Sequence, residues 1–203
     1  MTETTQDESL DLLSALKEKL QEHELDAIVI PHDDEYLSGD LTPDCERIAT
    51  LTNFTGSAGF VCVTVTQKEE FPVQISSIKD EHELITIDRA QAVFVDGRYK
   101  VQVKEQVDDA IYNTFNFAEV SPCNYLIAVL PKKAKVGIDL RCISYQYYKQ
   151  LQKELALSGI ELISLEENLF DLVWKDRPSP VCAPIEIYPD EFNGCPSLPP
   201  ELS

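Results

Sequence analysis

The sequence predicts an α/β fold in which a mixed β-sheet is flanked by helices. A segment near the N-terminus spaces its leucines as one face of a helix, and a second segment, which ends near residue 159, is bounded by residues that begin and end helices. Short runs rich in β-branched residues lie between and after them, and long connections separate most of these runs. Because helices and strands that alternate through long crossovers pack as a sheet covered by helices, we expect an α/β domain.

The first third of the chain predicts a helix, a strand, a polar loop, a short helix and a second strand. ESLDLLSALKEKLQE (8–22) is amphipathic, and DAIVI (26–30) is typical of a buried strand. A polar loop containing two prolines follows, and CERIATL (45–51) predicts a short helix. GFVCVTVT (59–66) is rich in β-branched residues and predicts a strand. The leucine stripe of the first helix consists of Leu10, Leu13, Leu16 and Leu20.

The middle of the chain predicts two further strands, a long helix and a closing strand. QAVFV (91–95) predicts a strand, whereas YKVQVKEQV (99–107) fits a helix or a strand equally well. KVGIDL (135–140) predicts a short strand. The next helix has Ser144 as its N-cap and Gly159 as its C-terminal stop, and the strand IELISL (160–165) follows.

The composition changes from Trp174 onward, where seven of the twelve prolines lie. Proline interrupts helices, so no continuous helix is expected there. Since PIEIY is apolar enough to begin a strand, we interpret this segment as the entry to a further domain; the alternative is a disordered tail. The predicted division is a first domain over residues 1–168, and a linker with the start of a truncated second domain over residues 169–203.

Charge and cysteine usage narrow the classes of function. The net charge is −19 and the pI is about 4.4, which argues against nucleic acid and anionic membranes as partners but leaves a basic partner possible. No apolar run approaches the ~20 residues of a membrane span, and the polar N-terminus is unlike a signal peptide. The six cysteines form no CxxC motif, so reduced thiols and a cytoplasmic location are expected.

The stretch LTNFTGSAGF (51–60) holds two of the seven glycines. It lacks the Gly-Lys-Ser/Thr ending of a phosphate loop, and its glycines precede a strand instead of following one. It also lacks the first glycine of a nucleophile elbow, because position 55 is threonine. We therefore interpret Gly56 and Gly59 as parts of a close-packed structural turn.

The motif DGRY (96–99) follows a predicted strand and allows two interpretations. In the first, Asp96 and Gly97 form a turn, and Arg98 is solvated or ion-paired. In the second, Arg98 is held for recognition of a ligand or a subunit through its rigid donor fork.

No catalytic or metal-binding residue emerges from the residue pattern. The acidic loop HDDE (32–35) has oxygen ligands suited to a hard cation, but the EF-hand spacing is absent, and a solvated loop is expected. The chain has only three histidines and no HExxH motif. A hydrolytic metal centre needs several convergent ligands, and none can be assembled here.

In combination, the motifs FTGSAG, DGRY, VGID and NLFDLVWKDRPSP, in this order, resemble the N-terminal domain of Xaa-Pro aminopeptidases (aminopeptidase P). This is the creatinase/prolidase-type N-terminal domain of the pita-bread metallopeptidases. The resemblance implies a ribonuclease-H-like fold. It also implies a non-catalytic domain, with a role in oligomerisation and in shaping substrate access, in a metallopeptidase that removes an N-terminal residue preceding proline.

The resemblance places the chemistry outside these residues. In the family, two divalent metals, typically manganese, activate a water molecule and are held by a C-terminal domain. The sequence stops before such a domain, so the chain alone is expected to be inactive, whether it is a fragment or a short relative. The implied partners are its own C-terminal domains, a second copy in a homodimer, and peptide substrates with proline second; nucleic acid and membranes are not expected.

The resemblance also implies which residues contribute to substrate access or subunit contact. The segment PHDDEYLSGDLTPDCERIATLTNF resembles the family's His-x-x-Glu-Tyr loop, with the arginine that precedes the glycine turn. Such loops face the catalytic cleft or a neighbouring subunit. The candidates carried over in this way are His32, Glu35, Tyr36, Arg47 and Arg98.

One departure and one alternative accompany the resemblance. The family joins its second strand to DGRY by a short hairpin, whereas this chain carries an insertion around residues 67–89, which is expected to add a strand to that hairpin. Insertions of this size lie on surface loops. The alternative function is a non-enzymatic binding module, either like a histone chaperone or peptide-binding. A similar fold occurs without catalysis in the large subunit of a eukaryotic histone chaperone.

Overall fold

The computed structural model describes residues 6–180, 182–185 and 192. Over these residues the chain forms eight strands, β1–β8: Ala27–Pro31, Gly59–Thr64, Val73–Ser76, Leu84–Ile87, Gln91–Val95, Tyr112–Asn116, Lys135–Asp139 and Glu161–Leu165. Over the same residues it forms six α-helices, α1–α6: Gln6–Glu22, Arg47–Thr52, Gln102–Gln106, Pro122–Val129, Tyr145–Leu157 and Leu169–Val173.

The main sheet of the described residues has six strands in the order β6-β5-β2-β1-β7-β8. Strand β2 runs antiparallel to both of its neighbours, and the other pairs are parallel. Every described strand of this sheet except β2 therefore ends at the same side, here called the carboxyl edge. The mixed sheet with helices on both faces confirms the predicted α/β class.

Two core layers lie on opposite faces of the main sheet. On one face, α1, α2, α3 and α6 cover the sheet with side chains such as Leu16, Ile48 and Phe170. On the other face, α4 and α5 contribute Leu126 and Leu151, among others. A strand covered on both faces must be apolar at every position, which explains the continuous apolar run of β1.

The two long helices match their sequence signals. In α1, Leu13, Leu16 and Leu20 are buried as predicted, whereas Leu10 is 40% exposed. Helix α5 begins at its predicted cap, because the Ser144 hydroxyl accepts the backbone N–H of Tyr147. Just beyond the helix, Gly159 has φ +74°, a conformation that glycine adopts without steric cost.

Two elements before residue 168 were not predicted, and one ambiguity is resolved. Strand β6 was missed because three of the five residues of its sequence, YNTFN, are polar and they do not alternate with apolar ones. Helix α4 was missed although Ser121 caps it and Pro122 occupies its first turn, two recognisable helix-start signals. The ambiguous segment after DGRY forms a short helix, α3.

The insertion forms a separate two-stranded ribbon, β3–β4, instead of adding a strand to an existing hairpin as expected. Its alternating pattern gives one apolar face, and Val73, Ile75 and Ile85 on that face pack against the core layer that contains α4. In the connection between β3 and β4, the Ile78 N–H donates to the Glu119 carbonyl oxygen at 2.9 Å. The apolar face explains why the insertion folds onto the domain.

Helix α6 packs into the core of the same domain. Leu169, Phe170 and Val173 are buried in the layer that contains α1. The predicted boundary after residue 168 thus places α6 on the linker side, although its apolar side chains lie in the first domain. Most of the predicted start of a second domain lies outside the described residues. None of the described helices is long and apolar enough to cross a membrane.

Candidate functional site

Four chain segments meet at the carboxyl edge. The loop after β1 begins at His32, and the turns after β5 and β7 contain Arg98 and Arg141. The glycine turn enters β2 at this same edge because β2 runs the opposite way. The His32 N–H donates to the Gly59 carbonyl oxygen at 2.9 Å and joins two of the segments. In open α/β sheets, ligands bind beyond the carboxyl ends of the strands, so this edge is the candidate site.

The loop after β1 turns His32 inward and Tyr36 outward. The His32 side chain is 7% exposed, and burial lowers its pKa despite the opposing charge of Asp33. Its Nε2 has no hydrogen-bond partner among the described residues. Tyr36 is 81% exposed, and Glu35 is exposed beside it. Of His32, Glu35 and Tyr36, the two exposed residues Glu35 and Tyr36 can contact an incoming molecule without rearrangement.

Asp34 holds this loop in shape. Asp34 and His32 are both buried, in contrast to the expected solvated loop. Burial opposes ionisation of the Asp34 carboxyl group, but its Oδ1 accepts the N–H groups of Ser38 at 2.9 Å and Tyr36 at 3.0 Å, which hold its pKa below the usual range. Leu37 adopts φ +55° within the same turn. An aspartate side chain that accepts a hydrogen bond from the backbone N–H two residues later forms an Asx-turn. The loop therefore presents Glu35 and Tyr36 from a hydrogen-bonded frame.

The turn after β5 shows the turn and the ion pair of the first interpretation of DGRY, and recognition by Arg98 stays a prediction. The Asp96 carboxylate accepts the backbone N–H of Arg98 at 2.8 Å and the guanidinium NH2 at 2.6 Å. Gly97 begins the single helical turn that follows. The Arg98 side chain is nevertheless 70% exposed, and its guanidinium lies over the Tyr99 ring at 5.2 Å. Asp96 shapes the turn and orients the guanidinium toward solvent at the carboxyl edge.

The turn after β7 repeats this pairing of an aspartate with the arginine two positions later, and the pairing was not predicted from the sequence. Asp139 accepts the backbone N–H of Arg141 at 3.0 Å and its guanidinium NH2 at 2.8 Å. The signal is an Asp-x-Arg triplet after an apolar run, in VFVDGR and again in VGIDLR. Strands β2 and β1 lie between the two turns, so three strand spacings, about 14 Å, separate them. The carboxyl edge thus presents two guanidinium groups of similar construction.

Arg47 does not lie at the surface of this edge, in contrast to the expected position. It is 5% exposed, and it donates Nε to Asp171 Oδ1 at 2.7 Å and NH2 to Asp171 Oδ2 at 2.8 Å. Arg177 contacts the same carboxylate at 3.0 Å and donates to the Asp44 carbonyl oxygen at 2.8 Å. Paired, planar hydrogen bonds of this kind suit the guanidinium fork. Arg47 therefore ties α2 to α6.

The glycine turn is close-packed and pinned by its neighbours. A Cβ atom at Gly56 would lie 2.3 Å from the Phe54 ring, and one at Gly59 would lie 3.0 Å from the Phe94 carbonyl oxygen. The Thr55 N–H donates to Gln106 Oε1 at 3.1 Å, and the Ser57 and Tyr99 hydroxyls are 2.7 Å apart. The turn therefore needs glycine for close approach, and Ser57 contacts Tyr99 instead of a histidine.

Replacement of Gly56 by alanine is expected to lower the free energy of unfolding by about 1–3 kcal/mol, the usual cost of overpacking. The reason is that Phe54 is 1% exposed and cannot swing away from the added methyl group. Urea unfolding followed by circular dichroism measures the change. Gly39→Ala is the matched control, because no atom lies within 4 Å of a Cβ at that position. Equal stability of the two variants would contradict the close-packed turn.

The described edge offers groups for recognition. In the parts of the chain that the structure describes, no three His, Cys, Asp or Glu residues group as a metal site. Burial raises the pKa of the Cys123 and Cys142 thiols to about 12, which keeps them protonated near neutral pH. The exposed groups are the guanidiniums of Arg98 and Arg141, the Tyr36 ring and the Glu35 carboxylate.

Comparison with known proteins supports the resemblance carried by the motifs. Residues 82–177 match the family model of the Creatinase/Prolidase N-terminal domain. The chain is 28% identical over 185 residues to a probable Xaa-Pro aminopeptidase P of Aspergillus fumigatus. The match covers 90% of this chain and 25% of that protein. It is 29% identical over 191 residues to aminopeptidase P1 of Arabidopsis thaliana, again over 25% of the relative. The chain thus spans about a quarter of the length of these curated relatives.

Solved structures share the fold. The X-prolyl aminopeptidase of Caenorhabditis elegans, described as a cytosolic enzyme with a di-nuclear active site, superposes with a TM-score of 0.69 at 21% identity, over 84% of this chain and 26% of that one. The N-terminal domain of the cytoplasmic peptidase PepQ of Mycobacterium tuberculosis superposes with a TM-score of 0.51 at 19% identity, over 80% of this chain and 98% of that one. The second match covers an isolated domain almost completely.

Proposed function

Because the chain carries a creatinase/prolidase-type N-terminal domain, we propose that it serves as the non-catalytic N-terminal domain of a metal-dependent Xaa-Pro aminopeptidase. The parent enzyme would remove an N-terminal residue that precedes proline. The observation that carries the proposal is similarity to aminopeptidase P over nine-tenths of the chain, but over only a quarter of each relative. The rest of the relatives' length leaves room for a catalytic domain.

The metal chemistry would be supplied by that further domain. Two divalent metals, proposed to be manganese ions in the parent enzyme, would polarise the scissile carbonyl and activate a water molecule there. The described residues bring no set of metal ligands together. The contribution of this chain would therefore be to contact the parent's other domains in the cytoplasm, to support a homodimer, and to shape the path of the substrate.

The carboxyl edge is the surface proposed for substrate access and subunit contact. Arg98, Glu35 and Tyr36 are exposed there, while buried His32 and its neighbour Asp34 hold the loop. Buried Arg47 would act indirectly, since it fixes α6, the element that leads toward the linker. An edge of this kind can select peptides by length and charge without taking part in bond cleavage.

The test is Xaa-Pro hydrolysis by the native polypeptide that contains this domain. It is captured from its source cell with an antibody against the domain, its intact mass is measured, and it is assayed with added manganese. We expect a mass several-fold above that of the 22.9 kDa chain, and cleavage of Xaa-Pro peptides but not of matched Xaa-Ala peptides. A species of about 23 kDa without hydrolysis would contradict the proposal and favour the binding-module alternative.

The same assay tests substrate access in the hydrolysing polypeptide. Arg98→Ala is expected to raise KM for longer peptides by about two- to fivefold, the range of one exposed charge contact, with kcat unchanged. Dipeptides would be too short to reach Arg98 from a catalytic domain and should show no change. An equal effect on long and short substrates would contradict the proposed role of Arg98. Lys153→Ala, on the exposed side of α5, is the control for loss of a surface cation.

A further inference from the structure

A groove with a volume of about 1060 Å³ lies on the face of the domain that carries α1 and α2, and one end of it reaches the glycine turn at Thr55. It is called the α1–α2 groove. Each of its two main walls is one stripe of a helix, with lining residues three or four positions apart. Residues 173–178 and the end of α3 close its other sides. The wall residues are Glu8, Asp11, Leu12 and Ala15 on one side and Glu46, Ala49, Thr50 and Asn53 on the other.

The groove combines apolar side chains with an acidic border. Leu12, Ala15, Ala49 and Trp174 line it and are all partly exposed, so apolar surface remains accessible there. The ionisable residues that line it are five acids and one base: Glu8, Asp11, Glu46, Glu105, Asp176 and Lys175. Glu46 is half-buried, and burial raises the pKa of its carboxyl group. An incoming cation would stabilise that carboxylate in its charged form.

We propose that the α1–α2 groove binds a basic amphipathic helix of a partner protein. Recognition of a helix in a groove uses an apolar stripe for burial and charged residues at its border for orientation. Here Leu12, Ala49 and Trp174 would receive the apolar side chains, and the acidic residues would face lysines or arginines. The assignment rests on charge complementarity and is independent of aminopeptidase activity.

Charge also decides against the two nearest alternative occupants. The segment of this chain from Val181 to Ser203 contains no lysine or arginine and four acidic residues, so it would meet like charges in the groove. A second copy of the chain carries a net charge of −19 and would meet like charges at the acidic border of this groove, whereas the proposed homodimer contact lies at the carboxyl edge, where Arg98 and Arg141 are exposed. A basic segment supplied by another protein meets neither obstacle.

Trp174 makes the proposal directly measurable, because it is the single tryptophan of the chain and lines the groove. The probe is a synthetic helical peptide of leucine and lysine, roughly fourteen residues or four turns long, without tryptophan. We expect its addition to the 203-residue chain to shift Trp174 emission saturably, with an affinity that falls as salt is added. A matched peptide with glutamate in place of lysine should give no shift.

Charge reversals locate the binding site. Asp11→Lys and Glu46→Lys, one on each wall, are each expected to weaken peptide binding by about tenfold or more. Glu81→Lys makes the same change in net charge at an exposed position between β3 and β4, on the opposite face of the domain, and should leave affinity within about twofold, since a surface charge away from the contact matters little. Circular dichroism confirms that each variant is folded.

Three results would overturn the proposal. Equal weakening by Glu81→Lys would mean that the peptide follows net charge and not the groove. Binding of the glutamate peptide with similar affinity would mean that the acidic border does not select the occupant. Concentration-dependent self-association that Glu46→Lys alters, seen by sedimentation, would assign the groove to a second copy of the chain.

Discussion

A chain that ends at residue 168 is expected to be largely unfolded, whereas a chain that ends at residue 180 should fold. The shorter chain lacks α6, and with it Leu169, Phe170 and Val173, which are buried against α1. At about 1.5–3 kcal/mol for each buried apolar side chain, their loss costs roughly 5–9 kcal/mol. A domain of this kind has a total stability of about 5–15 kcal/mol, so the loss is comparable to the whole stability.

Loss of Asp171 in the shorter chain adds to the effect. Its carboxylate is the partner of the buried Arg47 guanidinium, which would be left in the core without that charge. Circular dichroism and urea unfolding of the two chains measure the difference. A chain ending at residue 168 with the same urea midpoint as the longer one would show that α6 is dispensable, and that the boundary predicted from the sequence is also the boundary of the folding unit.

The second large effect is expected from the buried ion pair itself. Arg47→Met keeps the aliphatic stem but removes the guanidinium, and we expect a loss of about 3 kcal/mol, the low end for breaking a buried pair. The low end applies because Arg177 still contacts Asp171 at 3.0 Å and keeps that carboxylate paired. Urea unfolding at neutral pH measures the change. Arg98→Met, the same substitution in the exposed pair with Asp96, should cost less than about 1 kcal/mol.

A double-mutant cycle separates the charge interaction from the packing of the two side chains. Arg47→Met combined with Asp171→Leu replaces the pair with apolar side chains, and replacement of a buried pair in this way is often neutral or stabilising. We therefore expect the double variant to be more stable than Arg47→Met alone. If the double variant instead loses the sum of the stabilities that Arg47→Met and Asp171→Leu lose separately, the two charges do not interact, and Arg47 stabilises the domain only through its stem.

The local elements of this domain could be predicted from the sequence because their signals depend on neighbours along the chain. The leucine spacing of α1, the Ser144 cap of α5 and the β-branched run of β2 each describe a segment of fewer than twenty residues. The motif order likewise pointed to the creatinase/prolidase-type domain. The polar residues of β6 hid a strand, since burial on both faces of that strand is decided by elements distant in sequence.

Tertiary structure alone decided which charged residues meet and which face solvent. Arg47 and Asp171 are 124 positions apart, and nothing in either segment indicates that the two helices pack together. The sequence shows HDDE as one acidic run, yet the fold buries His32 and Asp34 and exposes Glu35, because the turn bonds of Asp34 set the direction of each side chain. The sequence by itself determined most of the elements and the α/β class of the domain. Packing between distant segments determined the carboxyl edge, the buried pair and the acidic groove.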